Sequence, residues 1–241
     1  MPNQAIGSVD IESAILADGY YDFAPPHDGL PGTCEHMLNR GHQILKDTMV
    51  AETSGAPIAH AASIVVDGCR FLVMADKGSG KTTLSLRCLA EGFSVEGDEH
   101  VVIGQTDVLA RPRTLRIKQG SLAHVPELEE HIRNCPAIID WDGNPIYSVT
   151  PQTSETSWTI DQGPADVLLF LTPNHGGLTA TRPLSPNQAF ERLTRSVFLP
   201  ETGKPAALAR LHNLTRAARS LEMRLGCLKT AIWHLRQLSR S

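Results

Sequence analysis

The chain has no apolar run approaching the roughly 20 residues a membrane-spanning helix needs, and its N-terminus lacks the basic-then-apolar order of a secretory signal. It also has no long lysine or arginine run. With 22 basic against 26 acidic residues and a formal charge of −4, neither a phosphate backbone nor an anionic lipid surface is an evident partner. Cysteine is scarce: Cys34, Cys69, Cys88, Cys135 and Cys227 form no C-x-x-C pair, so neither a disulfide framework nor a zinc site is indicated. They read as small buried hydrophobes. Ten histidines include no H-E-x-x-H or similarly compact metal spacing. There is no internal repeat and no low-complexity tract. What remains is a 241-residue chain, 41% hydrophobic, that fits one compact domain with or without an appendage, and a cytoplasmic location is expected.

The informative stretch is Ala75-Asp76-Lys77-Gly78-Ser79-Gly80-Lys81-Thr82, followed by Thr83. Glycines at this spacing let backbone N–H groups close on phosphate oxygens, Lys81 supplies a point charge, and the Thr82 hydroxyl suits Mg²⁺. Ala75 stands where glycine is usual, which is acceptable only if that residue does not need positive φ. The flanks agree with a phosphate-binding loop. Cys69–Met74 is a short apolar run suited to a buried strand, and Thr82–Glu91 reads as a helix ended by Gly92. That helix aims its free N–H groups and positive dipole end at the loop.

Ile64–Val66 and Cys69–Met74, joined by Asp67-Gly68, read as a β-hairpin with a type I′ turn. Residues 1 to 60 mix turn formers with short apolar pieces and suggest short strands. After the loop helix, Phe93–Ile103 is two apolar segments separated by Asp98-Glu99. His100, next to Glu99, is a candidate for a place near the site, although strand alternation points it away from Glu99. Leu115–Lys118, Ala137–Asp140, Val167–Leu171 and Ser220–Leu225 are further strand candidates, and 186–197, 205–218 and 227–238 helix candidates. Arg111 and Arg113, which flank Pro112, and Arg182 beside Pro183 have two readings, contact with phosphate or an acidic substrate and solvated charge near a turn, and solvation is the commoner case. Asp140 and Asp142 fall in a polar hairpin around Gly143. The C-terminal basic residues, Arg210 to Arg236, read as solvated charge around a packed stripe. The other use for them is docking of an acidic peptide or a neighbouring subunit, so self-association stays open.

The acidic pair complements the loop chemically. Phosphoryl transfer needs a carboxylate near the metal and a group to take the acceptor's proton, and adjacent carboxylates can divide those tasks. The ordered set of His60, the glycine-rich loop and Asp98-Glu99 resembles the catalytic core of the bacterial HPr kinase/phosphorylase family, over about residues 58 to 104. The resemblance implies Asp98 as the base that activates a substrate hydroxyl, Glu99 as an acidic Mg²⁺-site group beside Thr82, and His60 as a group near the acidic pair. Lys81 keeps its phosphate-binding task, and ATP and Mg²⁺ are the implied cofactors. Glu99 replaces the family's usual second aspartate, and the arginine-bearing loop tied to phosphorylase activity has no located counterpart. The chain resembles the divergent relatives more than the usual members; these relatives phosphorylate a serine or a peptide terminus and include tailoring kinases of lasso-peptide precursors.

The expected fold is α/β: a mixed, twisted sheet bearing the P-loop, an HPr-kinase/PEP-carboxykinase-like nucleotide-binding core with flanking helices. A β-rich segment, 1–57, is expected to pack on a kinase core, 58–241. The expected activity is ATP-dependent transfer to a serine-type hydroxyl of a peptide, protein or small molecule. Two alternatives stay open: a nucleotide-gated regulatory protein without transfer, and a P-loop NTPase using Asp140.

Overall fold

The computed structural model describes residues 55–139, 143–153, 157–200 and 202–240. The strands are β1 Ile58–Ala59, β2 Ala61–Val66, β3 Cys69–Ala75, β4 Ser94–Gly97, β5 Val101–Ile103, β6 Val108–Ala110, β7 Leu115–Lys118, β8 Ala137–Ile139, β9 Pro145–Val149, β10 Val167–Pro173, β11 Ala180–Pro183, β12 Val197–Phe198 and β13 Arg219–Leu225. The helices are α1 Lys81–Ala90, α2 Gln119–Leu122, α3 Glu129–Arg133, α4 Pro186–Arg195, α5 Lys204–Ala217 and α6 Leu228–Ser239. The segment expected to form a β-rich N-terminal unit lies outside the described residues up to Ser54, as do Asp140 and Asp142.

Six strands form the central sheet in the order β11-β13-β10-β3-β2-β4. β3, β10 and β13 run parallel, while β2, β4 and β11 are antiparallel to their neighbours. The sheet is therefore mixed, as the hairpin signal requires. Asp67 and Gly68 both have positive φ, 49° and 82°, the conformation that a two-residue type I′ turn demands. Ala75 ends β3 and is not among the positive-φ residues, which is why alanine is tolerated there.

Alternation along β3 and β10 divides the core. Phe71, Val73, Leu169 and Leu171 meet Leu84, Leu86 and Leu89 of α1 and Ile232 and Leu235 of α6 on one face. Leu72, Met74, Leu168 and Phe170 meet Leu193 of α4, Leu211 of α5 and Val101 and Ile103 of β5 on the other. Burial on both faces explains why these strands are continuous apolar runs rather than alternating ones. A smaller antiparallel sheet, β7-β9-β8, packs Leu115, Ile117, Tyr147 and Val149 into the α1 side, and a four-stranded sheet, β12-β1-β5-β6, covers the other. α4 starts with a capping box in which the Ser185 hydroxyl accepts from the Gln188 N–H.

The residues leading to the acidic pair are tied to the sheet by a buried ion pair. Arg70 on β3 donates to both carboxylate oxygens of Glu96 on β4, at 3.1 and 2.9 Å. Glu96 also accepts from the Ser63 hydroxyl at 2.5 Å and the Asp161 N–H at 3.1 Å. Arg70 donates further to the carbonyls of Asp161 and Pro164. The Trp158 indole donates to the Glu96 carbonyl at 3.0 Å. A buried pair of this kind specifies geometry more than it adds stability, but losing one partner leaves an uncompensated charge. Arg182 is exposed, as the sequence suggests, and also pairs, with Arg192, to buried Glu222, since β11 lies beside β13. One sequence reading changes: Cys227 is exposed rather than a buried hydrophobe. We predict that Arg70→Met, which strands Glu96, lowers unfolding stability by about 3–5 kcal/mol in urea titrations; a loss within about 0.5 kcal/mol would contradict the stated role.

Candidate active site

The turn after β3 is built for a close approach of backbone to a ligand. The Ser79 N–H donates to the Asp76 carbonyl at 3.0 Å, closing the turn before α1. Gly78 and Gly80 sit at φ 83° and 91°, where side chains are strained. A Cβ on Gly80 would lie 2.9 Å from Leu225 Cδ2, so the Leu225 side chain on β13 would have to shift as well. Gly80 occupies the cap position of α1 and offers no side-chain cap, and the first turn contains no acidic residue. The N–H groups of that turn have no intrahelical acceptor, and an anion is the natural partner for them.

Lys81 is 8% exposed and joins three elements. Its ammonium donates to the Asp98 carbonyl at 2.5 Å and contacts His60 Nε2 at 3.1 Å. Burial lowers its pKa, against the raising influence of Asp98 and Glu99. His60 lies between β1 and β2, where its N–H donates to the Ser196 carbonyl at 2.7 Å. Burial, followed by the Lys81 charge, pushes the His60 pKa down despite Glu99. His60 is thus neutral at pH 7, its Nε2 accepts from Lys81, and its approach to Glu99, Nδ1 to Oε1 at 3.7 Å, is a dipolar contact rather than an ion pair.

Asp98, Glu99 and His100 form the bend between β4 and β5. Asp98 is 5% exposed, and burial raises its pKa although Lys81 and a hydrogen bond from the Thr82 hydroxyl oppose the shift. Glu99 goes the other way. Burial alone would raise it, but Arg113, then His60, His100 and Lys81, bring it below the ordinary value. Two neighbouring carboxyls thus hold different proton affinities, the arrangement that separates a proton acceptor from a permanently charged group.

Two placements depart from the sequence reading. His100 does not point away from Glu99. It lies in the bend, where strand alternation does not apply, and ligand atoms of His60, Glu99 and His100 fall within 4.8 Å of one another. Its pKa is lowered to about 4, chiefly by burial. Arg113 is not a solvated residue beside a turn, because its Nη1 is 3.9 Å from Glu99 Oε1. Thr82 hydrogen-bonds Asp98. Thr83 is turned elsewhere, its hydroxyl 3.2 Å from that of Ser121 on α2. Asp76 and Lys77 are exposed at the loop tip and Ser79 is buried.

Oxygen donors from Thr82, Asp98 and Glu99 suit a hard cation such as Mg²⁺. The His60, Glu99 and His100 set has the donors of a softer divalent ion, although the Lys81 ammonium 3.1 Å from His60 opposes a second cation there. The described cavity of about 760 Å³ is elsewhere. It is lined by Asp67, Cys69 and Asp166 among others, at the start of β3 and so at the opposite end of the sheet from the glycine loop.

No known family matches the sequence, and no curated protein matches it. Among solved structures, the chain is similar to the HPr(Ser) kinase/phosphatase from Coxiella burnetii, with 12% identity, 76% of this chain and 93% of that chain covered, and a TM-score of 0.35. Among the described residues no helix is long and apolar enough to cross a membrane.

The raised Asp98 pKa has a consequence for stability. A carboxyl that is harder to ionise in the folded state than in the unfolded one disfavours folding once pH exceeds its ordinary value of about 4. Asp98→Asn should therefore stabilise the protein at pH 7, and the gain should disappear at about pH 3, where the carboxyl is protonated in both states. Denaturant titrations at the two pH values test this; a variant less stable at pH 7 than at pH 3, relative to wild type, would contradict it.

Proposed function

We propose that the protein is an ATP-dependent phosphotransferase that moves the γ-phosphoryl group to a serine-type hydroxyl of a peptide, protein or small molecule. The observation that carries this reading is the Lys81 ammonium, shared between His60 Nε2 and the Asp98 carbonyl. It unites an uncapped helix start, a neutral histidine and an acidic pair within one site.

In this reading the backbone from Gly78 to Thr82 and the Lys81 ammonium hold the nucleotide phosphates. Asp98 accepts the proton of the acceptor hydroxyl as that oxygen bonds to phosphorus. Its buried position supports the role, because a carboxyl with raised proton affinity is a better acceptor at neutral pH. His60 fixes the direction of the Lys81 ammonium. Thr82 and Glu99 would hold Mg²⁺, which would supply charge neutralisation on the phosphates. The bond between the γ-phosphorus and the bridging oxygen breaks, and ADP leaves with that electron pair.

Label transfer from γ-labelled ATP with Mg²⁺ to a serine-bearing peptide panel and host lysate tests the reading. Asp98→Asn should retain nucleotide binding and lose about 10²–10⁴-fold in transfer, whereas Lys81→Ala should weaken both. Wild-type transfer that survives Asp98→Asn would overturn the base assignment. The rate should also fall as pH drops through the Asp98 pKa, giving an acid limb above the ordinary carboxylate value of about 4. An acid limb at or below that value would contradict it.

A further inference from the structure

The segment after β6 crosses the acidic bend. The Arg111 N–H donates to the His100 carbonyl at 2.9 Å, and Pro112 fixes the backbone between the two arginines. Gly97 makes the crossing feasible, since a Cβ there would sit 3.3 Å from the Arg111 carbonyl oxygen. Arg113 is thereby held over Glu99, with its side chain 31% exposed and Nη1 3.9 Å from Glu99 Oε1.

That distance is an ion pair without a hydrogen bond. Among the described residues Arg113 makes no hydrogen bond, which sets it apart from Arg70, Arg87, Arg133, Arg182, Arg192 and Arg236, all of which donate to carboxylates. A guanidinium confined beside a charged bend, with its donors unspent, is a fork suited to an oxyanion. The other cation of the site reaches the same bend. Lys81 donates to the Asp98 carbonyl and contacts His60 at 3.1 Å, His60 approaches Glu99 at 3.7 Å, and Arg113 approaches Glu99. Both cations therefore meet the Asp98-Glu99 bend.

We propose that Arg113 is a catalytic residue that binds the oxygens of the transferring phosphoryl group. The proposal rests on the phosphotransferase reading. As the acceptor oxygen bonds to phosphorus and its proton passes to Asp98, the bond to the ADP oxygen breaks and charge spreads over the three phosphoryl oxygens. Lys81 holds the phosphates on the donor side, and Arg113 meets the oxygens that move towards the acceptor. Its charge is matched to a group present only in ATP and the phosphorylated product, so its contribution is larger during transfer than in ADP binding.

The test uses the full chain with Mg²⁺ and compares wild type with Arg113→Ala and Arg113→Lys in ATP and ADP affinity, transfer rate and thermal melting. The expected result for Arg113→Ala is a kcat lower by about 10²–10³-fold, with ADP affinity and melting temperature unchanged and ATP affinity reduced. Added guanidinium should restore part of the Arg113→Ala rate, and Arg113→Lys should stay impaired because an ammonium lacks the fork. A kcat for Arg113→Ala within about threefold of wild type would overturn the proposal, and so would a lowered kcat that guanidinium does not raise. Should wild type transfer no label, the phosphotransferase reading fails and the nucleotide arm decides on Arg113. Loss of the ATP-over-ADP preference in Arg113→Ala then supports the phosphoryl contact, and an unchanged preference overturns it.

Discussion

A buried ammonium at the start of a helix is the constraint on which the site depends. Lys81 is almost fully enclosed, and burial disfavours its charge. It is kept in place by a backbone carbonyl and a neutral imidazole, not by a direct carboxylate hydrogen bond. A carboxylate clasped to Lys81 would neutralise it and close the site. With a carbonyl and a ring nitrogen as partners, the charge stays available to an anion. The same two contacts fix the relation of α1, the β1–β2 junction and the β4–β5 bend, which come from three separate parts of the chain.

Rigidity of the bend comes from the other end of β4. Glu96, two residues before Asp98, accepts from Arg70, Ser63 and the Asp161 N–H, so its carboxylate is satisfied by β3, β2 and the segment after Trp158. Gly97 then allows the backbone of Arg111 to approach. The bend is therefore clamped on both sides, and Asp98 is buried there with a raised pKa. Burial of that carboxyl costs stability at neutral pH.

Local chemistry was the legible part. Asp67-Gly68 announces its turn because only positive φ at both residues joins two twisted strands in so few residues. The helix over 186–197 is legible as an element, whereas the Ser185–Gln188 capping box that starts α4 emerges only from the structure. The runs Cys69–Met74 and Val167–Leu171 read as strands because burial on both faces removes alternation. The glycine loop and the acidic pair stood out by residue type, and their meeting through Lys81 and His60 followed from an order that resembles a known family. What did not show was long-range. Arg113 and Arg182 look like surface arginines until the segments around them are folded against Glu99 and Glu222. Arg70 and Glu96 are 26 residues apart and carry no local signal of pairing. His100 is a different case, since the period of two that points it away from Glu99 does not hold across a bend.

The central claim is that the glycine loop, His60 and the Asp98-Glu99 bend form one nucleotide site. The most direct measurement is a crystal structure of the protein with Mg²⁺ and a non-hydrolysable ATP analogue. The account predicts the β- and γ-phosphates against the Gly78–Thr82 backbone and the Lys81 ammonium, with the γ-phosphoryl facing Asp98. A nucleotide bound instead in the cavity beside Cys69 and Asp166, at the opposite end of the central sheet, would contradict it.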